Sequence, residues 1–98
     1  MNKNDFKPGV VVRIGIWTGV ILDLFTSSST GKNIVQINFA KNIYKQQPPE
    51  LHFVDDLLAI ASPATVDDFA SEVKRLEELK DKALKELQAK IVVNTNAA

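Results

Sequence analysis

The spacing of the apolar residues changes at residues 62–65, SPAT, and this change divides the chain into two parts. Before it, Val10, Val12 and Ile14 occupy every second position, which is typical of a strand with one buried face. After it, apolar residues return every three or four positions, as they do on an amphipathic helix. The sequence therefore predicts a mainly β protein with a C-terminal α-helix, divided into a β domain over 1–61, a helix over 62–93 and a disordered tail over 94–98.

Five short, mostly antiparallel strands are expected between residues 10 and 60. Residues 15–19, GIWTG, are predicted to form a turn, and residues 26–33, TSSSTGKN, an exposed and mobile loop. A short strand is expected around Ile43 and Tyr44, and one helical turn at 55–60 leads into the last strand. The residues predicted to lie in the core are Val12, Ile14, Val20, Leu22, Ile37, Phe39 and Phe53.

Composition excludes several classes of function. The 98 residues suffice for one domain, and they contain no cysteine, so disulfides and cysteine-based metal sites are excluded. Twelve basic residues balance twelve acidic ones, which leaves no overall field to draw the chain to nucleic acid or an acidic membrane. Neither a signal peptide nor a membrane span is evident, so a cytoplasmic location is expected.

Residues 7–14, KPGVVVRI, followed by Gly19-Val20-Ile21, resemble the opening of SH3-like barrels of the KOW, Tudor and photosystem I reducing-side-subunit kinds. Residues 35–39 and 57–60 resemble the third strand and the closing turn and strand of such barrels. The resemblance covers residues 6–60 and implies an SH3-like five-stranded barrel followed by one long amphipathic helix. It implies a binding module, but this barrel serves many kinds of ligand.

Two departures bear on the ligand. KOW motifs carry basic residues between their glycines, whereas this chain has Ile16-Trp17-Thr18, which disfavours an RNA contact. A methyl-lysine cage needs several converging aromatic side chains, and only Trp17 and Tyr44 are predicted to face the surface.

No constellation of residues indicates catalysis. His52 is the only histidine, so a site with several histidine ligands is excluded. Asp55 and Asp56 are adjacent and point to opposite sides of an extended chain. We therefore expect no catalytic, cofactor-binding or metal-binding residue, no small-molecule substrate and no enzymatic activity.

Two functional hypotheses remain. The first is a protein-interaction module or small accessory subunit, with Trp17, Tyr44 and the 26–33 loop on the binding face. The second is a nucleic-acid-binding module, because residues 24–49 contain Lys32, Lys41 and Lys45 and no acidic residue. Binding to phosphate weakens steeply as the salt concentration rises, whereas binding through an apolar protein interface does not, so a salt series separates the two hypotheses. The residues proposed for the barrel face are Trp17, Tyr44, Lys32, Lys41, Lys45 and Arg13.

The helix has a recognisable start and an excess of length. Thr65 and Asp68 form a predicted capping box. A barrel of this size should be about 26 Å across, whereas a helix over residues 65–90 would run roughly 39 Å, so the helix should overhang the barrel. The residues expected to pack on the barrel are Val66, Phe69, Val73 and Leu76. Those expected to face another protein or a second copy of the helix are Leu79, Ala83, Leu84, Leu87 and Ile91. The alternative is that the last turns of the helix fray and the chain is a monomer.

Overall fold

The computed structural model describes the backbone of residues 1–97 and the side chains of residues 1–90. The chain begins with a single 3-10 turn at Lys3–Asp5. The elements that follow are β1 (Val11–Ile14), β2 (Trp17–Thr26), β3 (Asn33–Phe39), α1 (Ala40–Tyr44), β4 (Glu50–Phe53), α2 (Val54–Leu57), β5 (Ala61–Pro63) and α3 (Val66–Ala97).

The five strands form one antiparallel sheet in the order β4-β3-β2-β1-β5. This confirms the predicted five-stranded antiparallel sheet followed by a long helix. Strands β4 and β5 lie at the two edges and do not pair with each other, so the sheet is open and not closed into a barrel. The predicted helical turn before the last strand is α2.

The turn between β1 and β2 is shorter than predicted. It consists of Gly15 and Ile16, since Ile14 pairs with Trp17. Gly15 has a φ of +63°, in the left-handed region that glycine adopts without steric cost. Trp17 is therefore the first residue of β2 and not part of a loop.

This short turn decides which residues of β2 face the core. Val12 pairs with Gly19, and partners across an antiparallel ladder share a face, so Ile21 and not Val20 continues the face of Val12. Beyond Ile21 the pairing with β3 shifts by one residue, which places Leu22 in a β-bulge. Ile21 is fully buried and Leu22 is 44% exposed, so the prediction that Leu22 lies in the core is wrong.

Phe53 was predicted to be buried and is 40% exposed, so this prediction is also wrong. In the pairing of β3 with β4, Phe53 lies opposite Ile34, whereas His52 lies opposite the buried Val35. Phe53 therefore lies on the face of the sheet opposite to the core. Of the other predicted core residues, Val12, Ile37 and Phe39 are buried, and Ile14 and Val20 are half-buried.

The strand predicted around Ile43 and Tyr44 is a helical turn, α1. A short apolar run does not distinguish strand from helix by its period, because two adjacent residues carry no periodicity. Helix α1 ends at Tyr44, and the chain then turns at Gln46, whose φ is +55°. The N–H of Gln47 donates to the carbonyl oxygen of Asn42 over 2.8 Å.

The core contains residues from the strands and from the segments that flank the sheet. Phe6 follows the first 3-10 turn, and Val54 and Leu57 lie on α2. The N-terminal ammonium group of Met1 donates to the carbonyl oxygens of Leu58 and Ala61, both over 3.0 Å. The buried cluster is formed by Phe6, Val12, Ile21, Val35, Ile37, Phe39, Val54, Leu57 and Ala61.

Helix α3 begins with the predicted capping box, which is confirmed. The N–H of Thr65 donates to Asp68 Oδ2 over 2.9 Å, and the N–H of Asp68 donates to Thr65 Oγ1 over 3.1 Å. The first turns of α3 pack against α1 and β2. Phe69, Val73 and Leu76 are half-buried there, as expected.

Val66 is 72% exposed, so the prediction that it packs on the sheet is wrong. The most buried side chain of α3 among residues 66–90 is Glu72, and the apolar residues Phe69, Val73 and Leu76 form with it the docked face of the helix. Val66 lies within about 20° of Val73 around the helix axis, so it is on the same side of α3. It is exposed because it stands at the start of the helix, one turn before Phe69, where the half-buried apolar positions begin.

The far part of α3 extends beyond the sheet. The molecule measures 62 × 30 × 20 Å, and the 32 residues of α3 account for about 48 Å of its length. Side chains 77–90 are all exposed, and among them are the predicted contact residues Leu79, Ala83, Leu84 and Leu87. The side chain of Ile91 lies outside the described residues, as does Ala98 of the predicted tail.

Among residues 1–97, no helix is both long and apolar enough to cross a membrane.

Candidate interaction surface

The structure does not bring the six predicted face residues together. Arg13 lies 3.8 Å from the Asp68 carboxylate, at the start of α3. Lys32 lies at the far end of the β2–β3 hairpin, beside Phe53, whereas Lys41 lies beside Glu50 at the opposite end of β4. Lys41, Tyr44 and Lys45 are close to one another only because they are on or just after α1.

Trp17 covers the end of the core. Its ring is half-buried and packs against the central cluster. Lys41 Nζ lies 5.3 Å from the centroid of the Trp17 ring and 5.4 Å from that of Phe39. The same ammonium lies 3.4 Å from Glu50 Oε2, so the charge above Trp17 already has a carboxylate partner. This arrangement indicates a packing role for Trp17.

Tyr44 lies at the junction of α1 and α3. It is half-buried, and Lys80 Nζ lies 5.9 Å from the centroid of its ring. Lys80 occupies the apolar side of α3, and its contact with Tyr44 turns its ammonium back toward the sheet domain. Tyr44 therefore helps to hold the helix in place.

The loop at residues 26–33 is exposed but internally hydrogen-bonded. Thr26 Oγ1 donates to Asn33 Oδ1 over 3.0 Å. The N–H of Ser27 donates to the carbonyl oxygen of Lys32, and the N–H of Gly31 to that of Ser27, each over 2.8 Å. The loop is thus the closed end of the β2–β3 hairpin.

Glu50, on the edge strand β4, has a pKa below its ordinary value. Partial burial works in the opposite direction and raises the pKa, but neighbouring donors and charges outweigh it. Asn42 lies close enough to lower the pKa, although its buried Nδ2 makes no hydrogen bond of good geometry within the described residues. His52 Nε2, 3.2 Å from Glu50 Oε1, and the Lys41 ammonium lower it further.

The face of β2, β3 and β4 opposite the core carries a contiguous apolar surface, which we call the outer face. Phe25 pairs with Ile34, and Ile34 pairs with Phe53, so these three side chains form one row across the strands. Leu51, two residues before Phe53, adds to the same face. Phe25 is 41% exposed and Leu51 is 59% exposed. Lys32 Nζ lies 5.5 Å from the centroid of the Phe53 ring, at the margin of this surface.

The outer face continues to an unpaired strand edge. Strand β4 pairs with β3 on one side only, and the backbone groups on its other side have no strand partner. A shallow cleft of about 230 Å³ lies at this edge, and it is lined by Ile34, Leu51, His52 and Phe53. An apolar surface beside free backbone donors and acceptors is the arrangement that binds an added strand.

Larger clefts elsewhere on the molecule are more polar. One, of about 420 Å³, lies between the β1–β2 turn and α3, and it contains the ion pairs of Arg13 with Asp68 and Arg75 with Glu72. Another, of about 520 Å³, lies beside Phe6 and includes Lys3 and Lys7. Within residues 1–90, no three histidine, aspartate or glutamate side chains are grouped so that they could hold a metal ion.

Reasoning from the sequence missed Phe25 and Phe53 as surface residues. The signal was present, because Leu24 is followed by Phe25 and Ile34 by Val35. Adjacent residues of a strand point to opposite faces, so one member of each pair must lie away from the core. The pattern indicated two apolar faces but not which was covered.

No protein-family model matches this chain, and neither a curated protein nor a solved structure matches it.

Proposed function

We propose that this chain is a non-enzymatic protein-interaction module, or a small accessory subunit, that binds an extended apolar segment of another protein along β4. The observation that carries the proposal is the outer face, where Leu51 and Phe53 are exposed at an unpaired strand edge and Phe25 extends the apolar surface across the sheet. A cytoplasmic location belongs to the same proposal.

The spacing of the outer face suits an added strand. Leu51 and Phe53 are two residues apart, so they are separated by about 6.6 Å along β4. Alternate side chains of an added strand have the same repeat and would lie next to them. Its backbone would satisfy the free edge of β4, and each large apolar side chain that becomes fully buried contributes roughly 1.5–3 kcal/mol.

The edge is available over a limited length. Pro48 and Pro49 immediately precede β4, and proline cannot donate to a strand ladder. Natural sheets use such prolines to limit uncontrolled edge pairing. We therefore infer that β4 accepts a short segment, about as long as the strand itself.

We also propose that the sheet is an opened member of the SH3-like barrel class. Three features support this assignment: the antiparallel pairing of each strand from β1 to β4 with the next, the helical turn α2 before the last strand, and the placement of β5 beside β1. The fold class by itself does not choose a ligand.

The nucleic-acid alternative has less support. Its cations are dispersed, since Lys32 and Lys41 lie at opposite ends of β4. Lys41 and Arg13 already face the carboxylates of Glu50 and Asp68. A phosphate backbone is bound by several cations along one groove, and these residues do not form one.

The test uses a library of random peptides displayed on phage and selected on the wild-type chain. We expect selected peptides to carry apolar residues at alternate positions and to shift the amide resonances of residues 50–53. Phe53→Ser should weaken their binding roughly tenfold or more, because the side chain contributes directly to the buried surface. Ile16→Ser, which changes an exposed side chain at the β1–β2 turn, is the matched control and should have no effect.

A salt series separates this proposal from the alternative. Peptide binding should change little between about 50 and 200 mM salt, whereas binding of a single-stranded oligonucleotide should weaken steeply. Peptides that bind with equal affinity to Phe53→Ser, or that shift resonances elsewhere, would contradict the proposed surface. Submicromolar oligonucleotide binding at physiological salt would favour the alternative.

A further inference from the structure

We propose that the projecting part of α3, residues 77–90, pairs in antiparallel orientation with the same segment of a second copy of this chain. We call these residues the overhang. The proposal goes beyond the proposed function, because it concerns a different surface and a different partner. It rests on an exposed apolar stripe and on the distribution of charge along the helix.

The stripe continues the docked face of α3 beyond the sheet. Leu87 follows Phe69 by eighteen residues, which is five helical turns, so the two side chains lie on the same side of the helix. Leu84 follows the half-buried Val73 by eleven residues, which is about three turns, so these two side chains also lie on the same side. Leu79, Ala83, Leu84 and Leu87 lie within about 140° of the helix circumference, and all four are exposed. Nothing else among the described residues covers them.

The overhang receives little support from its own chain. Leu76 is the last half-buried residue of α3 before fourteen consecutive exposed positions. An isolated helix of about that length is marginal in water, since most helical stability in proteins comes from packing of an apolar face. Pairing along the stripe would supply that packing.

The charges of the overhang indicate the orientation of the partner. Glu77 and Lys90 stand at the two ends of the overhang and lie beside the stripe, about 90° and 50° from its centre. Glu78 and Lys85 lie on the opposite side of the helix and do not reach a partner across the stripe. A parallel pair would bring the two Glu77 ends together and the two Lys90 ends together, whereas an antiparallel pair brings the Glu77 end of each copy to the Lys90 end of the other.

These features fit a second copy. An antiparallel pair of identical segments has a two-fold axis near its centre, so every contact between one end of the overhang and the other end of the partner's overhang is formed twice. The axis would fall near Ala83 and Leu84, in the middle of the stripe. Lys80, the cation within the stripe, is drawn back toward the Tyr44 ring, which leaves the apolar side chains clear for contact.

Sedimentation of the full chain over a range of concentrations tests for the dimer. We expect a reversible dimer in the wild type, weakened at least about a hundredfold by the double substitution Leu84→Asp, Leu87→Asp. Ile16→Asp, an exposed position away from the helix, is the control and should dimerise like the wild type. The fluorescence of Trp17, the only tryptophan, should be the same in the double variant as in the wild type. An unchanged spectrum would show that the sheet is intact.

Cross-linking tests the orientation, and the absence of cysteine makes single-cysteine variants unambiguous. Glu77→Cys and Lys90→Cys lie about 20 Å apart along the helix, and a bismaleimide of shorter reach is used. We expect a cross-link when the two variants are mixed and little when either is treated alone. A strong cross-link of Glu77→Cys with itself would overturn the antiparallel arrangement. A wild type that remains monomeric at millimolar concentration would overturn the proposal as a whole.

Discussion

The carboxylate of Glu72, on α3, accepts a hydrogen bond from the backbone N–H of Thr18, on β2, over 2.9 Å. Both residues are buried. Strand β3 ends at Phe39, which pairs with Gly19, so no strand residue lies opposite Thr18 on that side. The helix thus satisfies a backbone donor that the sheet leaves unpaired, and this fixes where α3 docks.

Glu72→Ala should destabilise the fold by about 1–3 kcal/mol, because the buried N–H of Thr18 would lose its acceptor. Urea unfolding measures the change. The control is Glu77→Ala, which removes an exposed carboxylate from the same helix and should change stability by less than about 0.5 kcal/mol. Equal losses in the two variants would show that the hydrogen bond to Thr18 contributes nothing specific.

Acid should weaken the fold through two carboxylates whose pKa values are lowered. The pKa of Asp68 lies below 3.8 because of its hydrogen bonds with Thr65, and that of Glu50 lies below 4.5 for the reasons given above. A carboxylate whose pKa is lower in the folded than in the unfolded state stabilises the fold at pH values above its unfolded-state pKa. This contribution is lost as the pH falls through its folded-state pKa. The stability difference between wild type and Glu50→Gln should be constant near neutral pH and shrink below about pH 4.5. A difference that grows with acid would contradict the assigned sign.

Gly19→Ala should be destabilising, because β2 and β3 approach closely at this residue. A Cβ atom at this position would lie 2.6 Å from Ile37 Cγ2 and 2.9 Å from Phe39 Cδ1. Overpacking of a core costs typically about 1–3 kcal/mol, and thermal unfolding should show the loss. Gly31→Asn is the control, since a Cβ there meets open space and asparagine tolerates the local φ of +69°. A neutral Gly19→Ala would mean that the strands can separate without cost.

Phe6→Ala should cost about 3–5 kcal/mol, because Phe6 is fully buried among the strands although it precedes the first of them. A domain of this size is stable by only about 5–15 kcal/mol, so the variant should be close to unfolding at ambient temperature. Ile16→Ala, at an exposed aliphatic residue of the β1–β2 turn, is the comparison and should be nearly neutral. Circular dichroism during denaturation distinguishes the two outcomes.

The exposed aromatic residues show where reasoning from the sequence reaches its limit. Leu24 and Phe25 are both apolar, so local pattern could not tell which of them faces water. The answer depends on the bulge at Leu22, which reverses the alternation along β2, and on β4, which pairs Phe53 with Ile34. Trp17 was misplaced for a related reason: a two-residue turn makes it a strand residue, and its ring then packs at the end of the core.

The sequence by itself determined what depends on neighbouring residues. The strand period, the helix period, the capping box of Thr65 with Asp68 and the excess length of α3 are all local, because each follows from residues a few positions apart. The tertiary structure decided the strand register, the exposed face of β2 and β4, and the burial of Glu72 against Thr18. Those features depend on turn length and on contacts between residues far apart in the chain, where one residue of shift exchanges the two faces of a strand.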